Sequence, residues 1–312
     1  MSKTALLFAG QGSQVVGMGR DLAEKYPSAR AWFDRAKAAL GYDLAEICFS
    51  GPEAELTKTE HAQPGIFLVS WAVWQLLKDH VPGLKFEATA GLSLGEFTAL
   101  AAAGAMSFED GLRVVRQRGR FMQEACDATR GGMAAILGLE EMPTREVCAE
   151  AGVVLANLNC PGQLVISGEI ERISRACDLA KAKGARRALP LPVAGAYHSP
   201  LMASAQPKLA AELELVAVEP PQAPVISNVT AQPHENSQSI RARLVEQVTS
   251  PVRWEESMRY LLVQGFTRFI ELGPGTALSG FMKRIDRPAI MLNVADIASL
   301  EATIASLIGA RP

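Results

Sequence analysis

The stretch FEATAGLSLGEFTALAAA, residues 86–103, joins a strand-like run to a helix-like one through Gly91-Leu92-Ser93-Leu94-Gly95. No other feature constrains the fold as strongly. Small residues on both sides let the backbone reverse sharply and push the serine hydroxyl outward. The free N–H groups of the next helix then lie beside that hydroxyl. The same pattern also arises in ordinary glycine-rich loops, so on its own it leaves Ser93 open between nucleophile and small loop residue.

The rest of the chain supplies a setting for such a turn. Thr4–Ala9 is a short apolar run ended by Gly10, which predicts a buried strand, and GQGSQ after it reads as a loop. Helical spacing covers 20–40 with a break at Pro27, then 63–80, 95–103 and 107–126. Trp71, Trp74 and Leu77 share one face of the second of these, which predicts core packing. Residues 130–196 change character. GGMAAILGL predicts a strand, MPTREVCAEA a helix, VVLANLNCPG and QLVISGE two strands, IERISRACDLAKAKG a helix and ARRALPLPV a strand. That β-α-β-β-α-β order is the ferredoxin-like one. It sits inside the chain, so the expected layout is an α/β unit made of 1–128 and 197–312, with 129–196 inserted. Beyond 197 the pattern predicts a helix to about residue 215, two helices broken near Ser250-Pro251, strands in FTRFIELGPG and AIMLNVAD, and a helical tail. Strands alternating with helices predict a mostly parallel sheet.

Composition excludes several classes. A formal net charge of −2 gives no general pull toward nucleic acid or an anionic membrane. No run reaches about 18 apolar residues, and the apolar start is too short for a signal peptide. Five cysteines without a C-x-x-C pair predict a reducing, cytoplasmic setting rather than a disulfide framework. Four histidines without an H-x-x-x-H pair argue against zinc. In GQGSQV the third glycine of a dinucleotide fingerprint is replaced by Val15. Neither metal nor cofactor is expected.

A serine nucleophile needs a base. His61, His80 and His234 lie in polar or loop-like surroundings and read as surface residues. His198, in PVAGAYHSPLM, lies where the chain returns from the insert, between a strand end and a helix start, a position that faces an interdomain cleft. It is the best candidate base. Asp110, Asp127 and Asp178 fall between Ser93 and His198, but none sits at an evident strand-end turn. A serine–histidine pair with the imidazole oriented by a backbone carbonyl is physically sufficient. Arg113, Arg116, Arg118 and Arg120 cannot share one helical face, so three are expected in solvent and one inward.

FAGQGSQ, GLSLGEF, RGRFMQ, NCPGQLVISG, YHSPLM, VEQVTSPVRW and ELGPG, in this order, resemble the malonyl-CoA:acyl carrier protein transacylases over nearly the whole chain. The resemblance implies a hydrolase-like core with a ferredoxin-like insert. It implies Ser93 as the acylated nucleophile and His198 as its base. The backbone N–H groups of Gln11 and Leu94 become the oxyanion hole, and the backbone carbonyl of Gln247 orients the imidazole. Arg118 grips the malonyl carboxylate, with Gln63 and Met122 lining the pocket. The implied reaction is ping-pong transfer of malonyl from malonyl-CoA to the phosphopantetheine thiol of an acidic carrier protein by a monomer, feeding fatty acid synthesis. KAKGARR, 181–187, is a candidate basic docking stretch. Leu92 stands where many members have histidine, and Tyr197 is placed to narrow the acyl pocket. The motifs do not themselves exclude water as acceptor, which would make a thioesterase or esterase. A polyketide-type acyltransferase, or an inactive scaffold of the same fold, would also be compatible with them.

Overall fold

The computed structural model describes residues 3–309. Residues 1, 2 and 310–312, the extreme ends of the larger unit predicted from sequence, lie outside the described residues. Nine strands follow one another among the described residues: β1 (Lys3–Phe8), β2 (Ala88–Gly91), β3 (Gly131–Leu137), β4 (Val154–Cys160), β5 (Gln163–Glu169), β6 (Arg187–Pro190), β7 (Val225–Ile226), β8 (Phe266–Leu272) and β9 (Ile290–Val294). They form two sheets. The first has the order β7-β2-β1-β8-β9, with every pairing parallel. Both faces are covered, so its strands are apolar at successive positions. Leu6, Phe8, Ile270 and Leu272 enter one core, while Ala5, Leu7 and Phe269 enter another on the opposite face.

The second sheet has the order β4-β5-β3-β6 with all pairings antiparallel, which is the ferredoxin-like arrangement. The helices Glu141–Ala151 and Ile170–Ala182 pack on one face through Val147, Cys148, Ile173 and Ala176. Met133, Ala156 and Val165 join the large core instead. The edge strand β4 is not left open. Leu158 N donates to Val252 O at 2.9 Å and Val252 N donates to Ala156 O at 2.8 Å, so a segment from outside this sheet pairs with the edge.

The helices follow the sequence pattern, with Arg20–Lys25 and Pro27–Leu40 separated at Tyr26 and a long buried helix at Thr59–His80. Leu44–Ser50 and Glu53–Thr57 are helices that the pattern does not predict, and so is Ala277–Ile285, which lies between the last two strands. Its start is capped from a distance, by Glu271 accepting from Leu278 N and Ser279 N. All five cysteines are free and buried. No helix of the described residues is long and apolar enough to cross a membrane.

The turn after β2 leaves no room for a side chain at either of its glycines. A Cβ on Gly91 would lie 1.9 Å from the Gly95 carbonyl carbon, and one on Gly95 would lie 2.3 Å from the Phe8 oxygen. The atoms met are backbone and cannot swing aside. Gly91→Ala is therefore expected to destabilise the fold by about 3 kcal/mol or more, read as a lower urea midpoint at unchanged m-value. A midpoint equal to wild type would show that the elbow has slack.

Candidate active site

Ser93 sits between β2 and the helix Gly95–Ala102 with φ +53°. Left-handed backbone is costly for a residue with a Cβ and persists only when its surroundings hold it. Here they do. Ser93 N donates to Asn228 Oδ1 at 2.6 Å, Asn228 Nδ2 donates to Gly91 O at 2.8 Å, and Gln247 Nε2 donates to Ser93 O at 3.0 Å.

His198 approaches from the far side of the chain, also at positive φ, +57°. It is buried, with Nε2 2.9 Å from Ser93 Oγ. Its Nδ1 lies 2.9 Å from Gln247 O and 3.1 Å from Ser250 O. Both are acceptors only, so the proton belongs on Nδ1 and the Nε2 lone pair faces the serine hydroxyl. Burial, and next the Arg118 charge, pull the imidazole down to about 4, against the two carbonyls that hold it up. At neutral pH the ring is a free base. No carboxylate touches it. Asp110 accepts at the cap of its own helix from Ser107, Asp127 accepts from Gln123, and Asp178 lies near Lys181.

Arg118 comes from the helix Phe108–Asp127 and is 1% exposed. One amino group donates to Gln63 Oε1 at 2.7 Å. The other donates to Gln247 Oε1 at 2.9 Å and to Ser93 Oγ at 3.1 Å. Its Nε has no partner, and no carboxylate of the described residues lies within ion-pair distance. Burial lowers its pKa to about 10, opposed by Glu96 and Tyr197, so it remains a cation. Arg113 and Arg120 are exposed beside Asp110 and Glu124, and Arg116 lies over the Tyr42 ring.

Ser93 and His198 open onto a cleft of about 1060 Å³ lined also by Gln11, Leu92, Met122 and Tyr197, among others; Arg118 lies behind its wall, reaching it through the Ser93 hydroxyl. That volume takes a sizeable ligand. Its walls are the loops after β1, β2 and β8, at the C-terminal ends of parallel strands, and the near face of the small sheet. No acceptor among the described residues takes the N–H of Gln11 or Leu94. Gln63 is not part of the cleft wall. It sits behind it, donating to Gln11 Oε1 at 3.1 Å and accepting from Arg118. The Tyr197 hydroxyl is 2.5 Å from Thr59 Oγ1.

His234 is not the surface residue that its loop-like surroundings predict. Its side chain is fully buried, with Nε2 2.8 Å from Glu96 Oε1. Nothing local signals this, because the partner is 138 positions away. Asn228, Glu96 and the Ser250 carbonyl also belong to the site, and each acts through tertiary contacts that carry no local pattern. Among the described residues no cluster of three or more His, Cys, Asp or Glu is placed to hold a metal.

The acyl transferase domain family matches residues 5–299. The malonyl CoA-acyl carrier protein transacylase of Bacillus subtilis is 46% identical over 312 residues, covering 98% of both chains. That of Escherichia coli K12 is 44% identical, covering 91% of this chain and 93% of its own. Among solved structures, a type II polyketide synthase acyl carrier protein in complex with its malonyl-transacylase matches at TM-score 0.94 and 40% identity, covering 98% of this chain and 100% of that one. The Streptococcus pneumoniae enzyme matches at TM-score 0.92 and 41% identity, covering 97% and 100%.

A protonated imidazole cannot accept the serine proton, so reactivity is lost as pH falls through the His198 pKa. Because that pKa is lowered, the acid limb of Ser93 labelling by a fluorophosphonate is expected well below pH 6.5. Arg118→Met removes one of the two lowering influences and should move the limb upward. A limb at 6.5 in both proteins would contradict the buried, cation-flanked imidazole.

Proposed function

The chain belongs to the acyl transferase domain family, and on that premise we propose that it moves a malonyl group from malonyl-CoA to the phosphopantetheine thiol of an acyl carrier protein, by way of an ester on Ser93. The observation that carries this reading is the buried Arg118 guanidinium, without a carboxylate of its own and 3.1 Å from the Ser93 hydroxyl. A cation so placed seeks an anion next to the reacting carbonyl. Malonyl, with a carboxylate at one end and a thioester at the other, meets both requirements.

In the first half-reaction Ser93 Oγ attacks the thioester carbonyl while His198 Nε2 takes its proton. The N–H groups of Gln11 and Leu94 receive the developing oxyanion, at roughly 3 kcal/mol per donor. Collapse breaks the C–S bond, and His198 returns the proton to the CoA sulfur. In the second half-reaction His198 takes the proton of the carrier-protein thiol. The sulfur attacks the ester, and the proton passes to Ser93 as its oxygen leaves. The Gln247 and Ser250 carbonyls steady the imidazolium each time it forms. Gln63 supports Arg118 from behind, and Met122 and Tyr197 bound the acyl group.

We take 129–196 as the inserted unit and the two flanking stretches as the catalytic one. The reaction supplies fatty acid synthesis, and free buried cysteines suit a reducing cytoplasm. Arg186 and Arg187 are exposed at the start of β6, beside Lys181 and Lys183, which already pair with Asp178 and Glu146. This basic stretch is the docking face we assign to an acidic carrier protein.

Incubation with malonyl-CoA is expected to leave a malonyl adduct on Ser93 by intact mass, discharged on adding holo-carrier protein. Discharge by water at the same rate without carrier would make the protein a thioesterase. Arg118→Ala should slow acylation by malonyl-CoA about 100-fold more than acylation by acetyl-CoA, since only malonyl loses a buried charge partner. Equal losses would remove the clamp from the account.

A further inference from the structure

The buried carboxylate of Glu96 has no role in either half-reaction. It lies in the first turn of Gly95–Ala102, fully buried, three residues past the nucleophile. Among the described residues no lysine or arginine pairs with it. Its partners are all N–H donors: His234 Nε2 at 2.8 Å on Oε1, and Gln247 Nε2 at 2.6 Å and Asn228 N at 3.1 Å on Oε2. A carboxylate held this way, at a helix N-terminus and within reach of the Arg118 field, is tolerated but not required for folding an apolar core.

Its two Oε2 partners lead to the two reacting groups. Asn228 Oδ1 accepts from Ser93 N, and Asn228 Nδ2 donates to Gly91 O, so Asn228 fixes the elbow. The Gln247 carbonyl accepts from His198 Nδ1, so Gln247 fixes the base. One oxygen atom therefore ties the serine side of the site to the histidine side. Glu96 also keys the Gln247 amide. A carboxylate accepts only and a guanidinium donates only, so the amide must turn its NH₂ to Glu96 and its oxygen to Arg118. Reversal would set the NH₂ against Arg118. His234 holds the other carboxylate oxygen by donating from Nε2, and its Nδ1 is left buried without a partner.

We propose that Glu96, seated by His234, is a positioning residue that sets the Ser93–His198 geometry and the orientation of the Arg118 clamp through Gln247 and Asn228. The proposal rests on the transacylase reading, and the two are separated by testing wild type first. If wild type forms a malonyl adduct that holo-carrier protein discharges, that reading stands, and the variants then test Glu96 alone. Glu96→Leu removes the acceptor. The expected loss in kcat for acylation is on the order of 100-fold, as for a displaced reacting group. Malonyl should suffer more than acetyl, because Arg118 loses its aligned partner. Glu96→Asp withdraws the carboxylate by one methylene, and a smaller loss with the same bias is expected. This variant decides the matter if Glu96→Leu does not fold. Glu96→Gln can keep an oxygen toward Gln247 and Asn228 if the His234 proton moves to Nδ1, where it finds no acceptor. The melting temperature should then fall while kcat drops far less than in Glu96→Leu, and ¹⁵N-histidine spectra should show the changed tautomer. Wild-type kcat in the Asp and Leu variants overturns the proposal. So does an equal loss for malonyl and acetyl, and so does Glu96→Gln as impaired as Glu96→Leu.

Discussion

Two side-chain-bearing residues in left-handed backbone, Ser93 and His198, face each other across 2.9 Å. Neither conformation is favoured locally, at about 1–2 kcal/mol each, so both must be imposed by what surrounds them. The imposition starts in the parallel sheet. Phe8 and Gly91 are register partners, and Gly95 passes so close to Phe8 that only a hydrogen fits between them. The helix Gly95–Ala102 is thereby pinned against two strand ends. Ser93 has no room to relax toward the strand or the helix, and its hydroxyl is turned into the cleft.

The second constraint is electrostatic. A guanidinium and an imidazole are buried side by side, both next to the same hydroxyl. The pairing is stable because only one of them carries charge. Burial, and next the cation, lower the imidazole pKa, which keeps the ring neutral with its Nε2 lone pair free, and the ring adds no repulsion in return. The arrangement also accounts for the absence of an aspartate against Nδ1. A carboxylate there would raise the imidazole pKa and oppose the action of Arg118. Two backbone carbonyls orient the ring and stabilise its protonated form without contributing a full charge.

Local pattern makes the elbow, the β-α-β-β-α-β run and the long helices legible, because each depends on residues near one another in the chain. Arg118 is separable from Arg113, Arg116 and Arg120 only as the one inward member of a helix; its contact with Ser93 is a fact of helix packing. Gln63, expected in the cleft wall, stands one layer behind it. His234, expected at the surface, is buried, because its partner Glu96 looks like an ordinary first-turn glutamate. The helix Ala277–Ile285 escapes the pattern because its start is stabilised from outside: Glu271, at the end of β8, accepts from Leu278 N and Ser279 N. In each case the deciding contact joins separate elements, and a period of two or 3.6 cannot encode it.

The segment 247–252 connects these constraints to the four-stranded sheet. Its carbonyls at Gln247 and Ser250 accept from His198 Nδ1, and two residues later Val252 pairs with β4 of the small sheet through both its N–H and its carbonyl. Asn157 and Asn159, on β4, line the cleft opposite Ser93. The base and the far wall of the cleft therefore hang from one short stretch of backbone. A rotation of the small sheet that opened the cleft would pull on the carbonyls that orient His198. The tie opposes such a rotation, and so holds His198 Nε2 beside Ser93 Oγ. In the proposed transfer one position of His198 serves both half-reactions, since the proton taken from Ser93 goes to the leaving CoA sulfur and the proton taken from the incoming thiol goes to Ser93.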